Sequence, residues 1–348
     1  MMDVVRCSLN TARALDFCLL FPTFPADTQF PTRVFTFLEQ TMKRDLISFT
    51  LWTKDELDSI LQLASRLKSG ESGPYVPLAN KSAALIFERR SLRTRVSFEV
   101  CVAQLGGHPV FLQQDTIGMA TRESVHDIGS VLSHYNELII ARTVKHQTIV
   151  QLAESATVPV INAMTDLLHP CQILADVFTL QELKRFTPEA KIVYVGNGNN
   201  ISNSWLEAAE KFSFHLVISS PPGFEPHPQI LEQARASGMS RIDLVSDPFE
   251  AVSDADVVYT DKWPASSESA ESAHFQKTFK PYQVNAALLK RANPHVVVMH
   301  RLPANRGEEI SREVIDGEHS IVLRQAENRL HLQKGIIGFL LHKPPEVS

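Results

Sequence analysis

The chain has 348 residues, enough for two domains with substantial cores. Apolar residues make up 44% and charged residues 21%, and a net charge of -5 argues against non-specific nucleic-acid binding, which needs a basic face. No apolar stretch approaches the roughly 18 residues needed to span a bilayer. The four cysteines show neither CxxC spacing nor the density of a disulfide framework, which predicts reduced thiols and no structural zinc.

The first 42 residues show no sustained helical or strand period. They lack the basic start and continuous apolar core of a secretory signal, and three arginines against four acids among residues 1–40 make a weak transit peptide. We therefore expect an extension that is poorly ordered or not native, with the functional chain beginning near Met42.

After this segment, strand-like and helix-like patterns alternate almost to the C-terminus. Thr53 to Glu56 resembles a capping box that opens a helix, and Ser82–Phe87 reads as a buried strand. In the second half, the alternating elements are predicted at residues 191–195, 206–212, 215–219, 230–236, 256–259 and 295–299. Such alternation predicts an α/β protein with two doubly wound parallel-sheet domains. Ligands of such sheets bind at the carboxyl ends of the strands, which places the active site in the cleft between the domains. The predicted strand ends carry Arg142, Asn162, Asn199, Asn200, Thr260, Asp261 and His300.

The segment Ser91-Leu92-Arg93-Thr94 lies between a predicted strand and a predicted helix. Free N–H groups at a helix start favour an anion, and the fork of Arg93 matches phosphate oxygens. Arg95 turns to another helix face, so the two arginines are not expected to hold one anion. A surface cluster of cations is the alternative, and a bound phosphate is the better interpretation.

A second motif, His169-Pro-Cys-Gln172, occurs where Pro170 suits a first helical turn. His169 and Gln172 can both point at a ligand above that helix start. A histidine alone is more often a hydrogen-bonded structural residue. The predicted anion site and Arg142 nearby favour the functional interpretation here.

A glycine-rich turn, Gly196 to Asn200, follows the predicted strand that ends at Val195. Such a turn can indicate a dinucleotide site, which makes a nicotinamide oxidoreductase an alternative. However, Ile201 occupies the third glycine position, and the next strand ends without an acid for a ribose. The amides of Asn199 and Asn200 could instead hold the carboxylate or amine of a small polar substrate.

Taken together, the motifs resemble the aspartate/ornithine carbamoyltransferase family, and most closely its ornithine branch, over about residues 43–343. Seven motifs occur in the family's order: Ser91–Arg95, Arg142-Thr143, His169–Gln172, Gly198–Asn200, Thr260–Trp263, His300–Pro303 and Ala326–Arg329. The resemblance implies transfer of the carbamoyl group of carbamoyl phosphate to the δ-amine of L-ornithine, giving citrulline for arginine biosynthesis. It implies no metal and no cofactor, and a cytoplasmic homotrimer with active sites at subunit boundaries. A mitochondrial matrix location is expected instead if the extension is a transit peptide.

The resemblance also implies a domain division and a set of site residues. Residues 43–183, with a C-terminal helix at about 326–343, would bind carbamoyl phosphate, and residues 184–325 would bind ornithine. Arg142, His169 and Arg301 occupy catalytic positions. The expected carbamoyl phosphate ligands are Ser91, Leu92, Arg93, Thr94, Arg142, His169, Gln172, Leu302 and Arg329. The expected ornithine ligands are Asn200, Asp261, Ala265 and Ser266.

The amine half departs from the family pattern. Arg301 replaces the cysteine of the usual His-Cys-Leu-Pro and cannot accept a proton. Asp261-Lys-Trp-Pro-Ala-Ser-Ser267 replaces Asp-x-Trp-x-Ser-Met-Gly, and Gly118 stands where a Gln or His usually precedes Leu-Gly. Two alternatives to ornithine therefore stay open: a carbamoyltransferase for another amine, such as a modified ornithine or a polyamine, and a catalytically weak relative.

Overall fold

Two parallel β-sheets form the framework of the protein, which the computed structural model describes over residues 43–71, 73–263 and 277–341. The expected extension, residues 1–42, lies outside the described residues. The first sheet has the order β2-β1-β3-β4, with β1 Ser82–Phe87, β2 His108–Gln113, β3 Leu138–Arg142 and β4 Val160–Met164. The second has the order β7-β6-β5-β8-β9, with β5 Lys191–Val195, β6 His215–Ser219, β7 Arg241–Leu244, β8 Val257–Thr260 and β9 Val297–His300.

Both faces of each sheet are buried. In β1, Leu85 belongs to one apolar core, whereas its neighbours Ala84 and Ile86 belong to another. In β5, Ile192 and Val193 divide between two cores in the same way. Strands buried on both faces, with purely parallel pairing, are typical of doubly wound sheets covered by helices. The predicted fold class is confirmed.

The helices follow the predicted order, with shifted ends. The capping box at Thr53 is present, and α7 begins at Asn200, six residues before the predicted Leu206, because Asn199 caps it. In the part of the chain that the structure describes, no helix is long and apolar enough to cross a membrane. The α-helices are α1 Lys54–Ser69, α2 Arg93–Gln104, α3 Gln114–Ile117, α4 Val125–Tyr135, α5 His146–Ser155, α6 Pro170–Glu182, α7 Asn200–Ala209, α8 Pro228–Ser237, α9 Pro248–Ala251, α10 Ala286–Leu289, α11 Arg312–Ile315 and α12 Val322–Leu340, and a 3₁₀ turn spans Lys280–Tyr282.

The last helix, α12, packs against α1, α2 and α6, and so returns to the helices of the first sheet as expected. It begins at Val322, earlier than the predicted start near residue 326. Gly335 allows the close approach to α1, because a Cβ there would lie 2.6 Å from the carbonyl oxygen of Ile60. This return brings Arg329 to the start of α2.

Candidate active site

The turn from β1 into α2 builds the first part of the site. No side chain caps the start of α2, which leaves the N–H groups of its first turn for a ligand. The Ser91 hydroxyl accepts a hydrogen bond from Arg142 Nη1 at 3.0 Å. The buried Thr94 hydroxyl accepts one from Arg329 Nη2 at 2.7 Å. Strand β3 and helix α12 thus each deliver an arginine to this turn.

Arg95 is directed elsewhere, as predicted. Its Nε donates to Glu99 at 2.9 Å, and its guanidinium lies 3.5 Å from the ring centroid of Phe111. Arg95 is therefore satisfied on another face of α2.

The cations beside this turn repel one another. Burial, followed by the charges of Arg301 and Arg93, lowers the pKa of Arg142 to about 10. Burial is the main cause that lowers the pKa of Arg329 to about 10. Among the described residues, no carboxylate forms a salt bridge with Arg93, Arg142 or Arg329, and all three stay charged at neutral pH. Converging cations without a counter-ion indicate an anion-binding site.

His169, at the start of α6, lies beside these cations with a neutral ring. Its backbone N–H donates to Ser204 Oγ at 2.7 Å, and its ring Nδ1 is buried without a hydrogen-bond partner in the described structure. Burial, followed by the charges of Arg329, Arg301 and Arg142, lowers the pKa of His169 well below its usual value. A neutral imidazole carries one N–H, which can donate to a polarised oxygen.

Gln172 is held by a buried carboxylate one helical turn away. Its Nε2 donates to Asp176 Oδ1 at 2.9 Å, and its buried Oε1 has no partner among the described residues. Gln325 also donates to Asp176, at 2.8 Å. Burial raises the pKa of Asp176 to about 7. An ionised carboxylate only accepts hydrogen bonds, so Asp176 fixes the Gln172 amide with its oxygen left to accept from a ligand.

The second sheet contributes the ends of β8 and β9. Asp261, just after β8, has a side chain only 1% exposed, and Arg301 Nε donates to both of its oxygens at 2.8 Å. Asn199 Nδ2 donates to Asp261 Oδ2 at 3.0 Å. Asn200 Nδ2 donates to the Thr165 carbonyl at 2.7 Å, beyond the end of β4. These bonds bring the strand ends of the two sheets to one cleft.

A buried histidine clamp fixes the loop that carries Arg301. His300 and Glu309 are both fully buried, and their side chains meet at 3.1 Å. The Leu302 N–H donates to His300 Nδ1 at 2.8 Å, so the proton of the ring lies on Nε2, toward Glu309. Leu302 has a φ of +60°, a left-handed conformation that is strained for leucine. This clamp fixes the backbone beside Arg301.

Comparison with known proteins gives the same family for both halves of the chain. Residues 44–182 match the carbamoyl-P binding domain and residues 188–340 the Asp/Orn binding domain of the aspartate/ornithine carbamoyltransferases. The chain belongs to this family. The ornithine carbamoyltransferase of Syntrophus aciditrophicus is 46% identical over 302 residues, covering 86% of this chain and 100% of that relative. The ornithine carbamoyltransferase of Chlorobaculum tepidum is 44% identical over 305 residues, covering 86% and 90%.

Solved structures of the family agree with this fold. The ornithine carbamoyltransferase from Pyrococcus furiosus has 41% identity and a TM-score of 0.83, covering 87% of this chain and 98% of that chain. The enzyme from Thermus thermophilus has 39% identity and a TM-score of 0.78, covering 86% and 100%. The family's two-domain scaffold is thus present in this chain over nearly the full length of these neighbours.

The structure gathers most of the sequence-predicted residues in the carbamoyltransferase cleft. Hydrogen bonds or electrostatic interactions link Ser91, Arg93, Thr94, Arg142, His169, Arg301 and Arg329, with Asp261 attached through Arg301. Leu92 and Leu302 flank this group in sequence. Asn162, named as a strand-end residue, instead donates to the Ile47 carbonyl. Ala265 and Ser266 lie outside the described residues.

Asp176 and Glu309 support the site and were not selected from the sequence. Asp176 interrupts an otherwise apolar run in α6, one helical turn after Gln172, so its position could have been noticed. Glu309 lies nine residues beyond His300 and meets it only through the fold of the intervening loop. No local pattern connects that pair.

Proposed function

We propose that this protein transfers the carbamoyl group of carbamoyl phosphate to the δ-amine of L-ornithine, yielding L-citrulline and phosphate for arginine biosynthesis. The observation that carries the proposal is the cleft itself. There the cation cluster of Arg93, Arg142 and Arg329, which forms no salt bridge among the described residues, lies next to the buried carboxylate of Asp261. The similar proteins named above are ornithine carbamoyltransferases, which supports ornithine as the amine.

Carbamoyl phosphate fits the cation cluster. The phosphate dianion takes the Ser91 and Thr94 hydroxyls, the free N–H groups at Leu92 and Arg93, and the charges of Arg93, Arg142 and Arg329. The unpartnered Gln172 Oε1 accepts from the carbamoyl NH₂. The backbone carbonyl of Leu302 is a further proposed contact of the carbamoyl NH₂.

Arg142 and the neutral His169 polarise the carbamoyl oxygen. The δ-amine lone pair attacks the carbamoyl carbon, and negative charge grows on that oxygen, where fixed donors act most strongly. The bond from carbon to the bridging oxygen then breaks, phosphate leaves with the electron pair, and the attacking nitrogen passes its extra proton to the departing phosphate. Neutrality of His169 suits a hydrogen-bond donor that does not itself titrate near pH 7.

Ornithine is bound by the second sheet in this proposal. Asp261 takes the α-ammonium, and Asn200 contacts the amino-acid end, with Ala265 and Ser266 as further proposed contacts. The domain roles follow: residues 43–183 with the C-terminal helix bind carbamoyl phosphate, and residues 184–325 bind the amino acid. Arg301, which already contacts Asp261, is part of the reaction site.

A homotrimer in the cytoplasm is the proposed state of the protein, or in the mitochondrial matrix if residues 1–42 are a transit peptide. An exposed apolar stripe on α2, formed by Leu92, Val96 and Val100 beside the cleft, supports subunit contact there. The free buried thiols of Cys101 and Cys171 agree with a reducing compartment. Light scattering after size-exclusion chromatography should give about three times the chain mass of 38.9 kDa; a monomer at micromolar concentration would exclude the trimer.

A colorimetric ureido assay with carbamoyl phosphate and a panel of amines tests the function. We expect L-ornithine to give the highest kcat/KM, at least tenfold above L-lysine, putrescine and Nα-acetylornithine. Lysine adds one methylene, putrescine lacks the carboxylate, and the acetyl group removes the charge that Asp261 binds. Faster carbamoylation of putrescine, acetylornithine or L-aspartate would show that the substrate is a different amine.

A further inference from the structure

Arg301 joins the two halves of the cleft. Its Nε donates to both Asp261 oxygens at 2.8 Å, and its Nη1 lies 3.8 Å from Met164 Sδ at the end of β4. Its positive charge also acts on Arg93 and Arg142, since it contributes to the lowering of the pKa of each. The guanidinium therefore sits between the buried carboxylate and the anion site.

The Asp261 carboxylate is already fully engaged. Arg301 contacts both oxygens, Asn199 contacts one of them, and the side chain is almost inaccessible to solvent. An incoming ammonium must therefore replace Arg301 or share the carboxylate with it. Sharing would place two cations on one anion, next to three further guanidiniums, and so displacement is favoured.

A displaced guanidinium needs another anion in the same low-dielectric cleft. The Ser91–Thr94 turn is built for one, and Arg301 is near enough to influence Arg93 and Arg142. We propose that Arg301 occupies the amine site of the empty protein, and that it moves from Asp261 to the phosphate dianion when the α-ammonium of the amine arrives. This inference rests on the proposed function and concerns how the same site selects its substrates.

Two properties follow from the exchange. First, the two ligands strengthen each other's binding, because the phosphate gives Arg301 a second partner and the ammonium gives Asp261 one; the coupling must be equal in both directions. Second, the amine must carry a cation able to compete with a guanidinium at Asp261. Arg301 is thus a specificity-determining residue that selects against amines lacking an α-ammonium.

Calorimetric titration with two unreactive probes measures the coupling. Phosphonoacetamide replaces the bridging oxygen of carbamoyl phosphate by a methylene, and L-2-aminopentanoate is ornithine without its δ-amine. In the full-length protein, we expect saturating phosphonoacetamide to increase the affinity for 2-aminopentanoate at least tenfold, within the usual range of coupling between sites.

Three single variants and one double variant decide the role of Arg301. In Arg301→Gln, 2-aminopentanoate should bind without phosphonoacetamide at least as well as in the parent, and coupling should fall below threefold. Arg306→Gln removes the same charge from the same loop, at an exposed pair with Asp316, and should keep the parent coupling. In Asp261→Asn, which frees Arg301, phosphonoacetamide alone should bind at least threefold more tightly, and this gain should vanish in the double variant with Arg301→Gln.

Undiminished coupling in Arg301→Gln, or an Asp261→Asn gain that persists in the double variant, would overturn the inference. If Arg301→Gln does not fold, the Asp261→Asn result and its comparison with the parent decide, and a failure to gain affinity there is a refutation. Citrulline formation is measured on the same parent preparation. Activity without coupling would refute the exchange and leave the proposed function standing; absence of both activity and probe binding would refute the two together.

Discussion

The two halves of the cleft differ in how their charges are balanced. In the carbamoyl phosphate half, Arg93, Arg142 and Arg329 converge without a described carboxylate partner, and burial lowers the pKa values of all three. In the amine half, the buried carboxylate of Asp261 already holds a guanidinium on both oxygens. The carbamoyl phosphate half has cations but no described anion, so it is organised to bind an anionic ligand. In the amine half, Arg301 already occupies the place of the ligand's ammonium. The carbamoyl phosphate half can therefore bind its ligand as it stands, and we call it the ready half. The amine half can bind its ligand only after Arg301 has moved away from Asp261.

The largest expected effect is in the ready half. Arg93→Ala removes a charge-assisted contact to phosphate. It should weaken transition-state binding by about 2–5 kcal/mol and lower kcat/KM for carbamoyl phosphate correspondingly. Arg95→Ala is the matched control, since its partners are Glu99 and the Phe111 ring. The control should change kcat/KM less than threefold. An equal loss in both variants would show that activity depends on the general positive charge of α2, and that Arg93 does not contact the phosphate specifically.

Removing the carboxylate that holds Gln172 should have a smaller effect. Asp176→Asn allows the Gln172 amide to turn over, because an asparagine can donate as well as accept, and should cost about 1–3 kcal/mol in kcat/KM for carbamoyl phosphate. Glu182→Gln, on the same helix and bonded to Lys68 away from the cleft, is the control. A larger loss of kcat/KM in the control would show that the loss comes from a less stable α6, and that contact with the carbamoyl group does not cause it.

The pKa of Asp176 adds a direction to this test. It is raised to about 7, so in the parent the carboxylate gains a proton as the pH falls through 7 and then can donate. Parent activity should therefore decline below about pH 7 by this route, and Asp176→Asn should lack that step. Steady-state kinetics of both proteins from pH 5.5 to 8.5 measure it; a step that persists in the variant belongs to another group.

A last comparison separates the two halves by pH alone. Affinity for phosphonoacetamide should change less than twofold from pH 7 to 8.5, because the pKa values of Arg142 and Arg329 fall only to about 10 and that of His169 lies below its usual value. The kcat/KM for ornithine should instead rise nearly tenfold per pH unit, as the δ-ammonium loses its proton. An inflection in phosphonoacetamide binding near pH 7 that persists in Asp176→Asn would mean that His169 is charged and binds the phosphate.

The two halves also differ in how much of their structure could be predicted from the sequence. The α/β class followed from alternating patterns, and the anion site followed from a helix start with two hydroxyls and an arginine, which are local features. The start of α7 was misplaced because Asn200 and Ser202 look polar and loop-like, although Asn199 caps the helix and the residues are buried. Strand β7 was missed because Arg241–Leu244 is short and half exposed.

Contacts between residues that are far apart in the sequence could not be predicted from local sequence patterns. The sequence placed Asp261 and Arg301 in one site and marked Arg301 as a departure, but 40 residues separate them and nothing local shows that their side chains meet. The return of α12, which sets Arg329 on Thr94 across 235 residues, was expected only from the family resemblance. Local chemistry thus selected residues of the carbamoyl phosphate half that the structure brings together, whereas the amine half depends on a long-range contact.

A crystal structure with phosphonoacetamide and L-2-aminopentanoate bound together tests the contrast between the halves most directly. The account predicts the phosphonate on the Ser91–Thr94 turn, the α-ammonium on Asp261, and the Arg301 guanidinium within hydrogen-bond distance of a phosphonate oxygen. If both ligands are bound and Arg301 still donates to both Asp261 oxygens, the amine half does not open by exchange and the account is wrong.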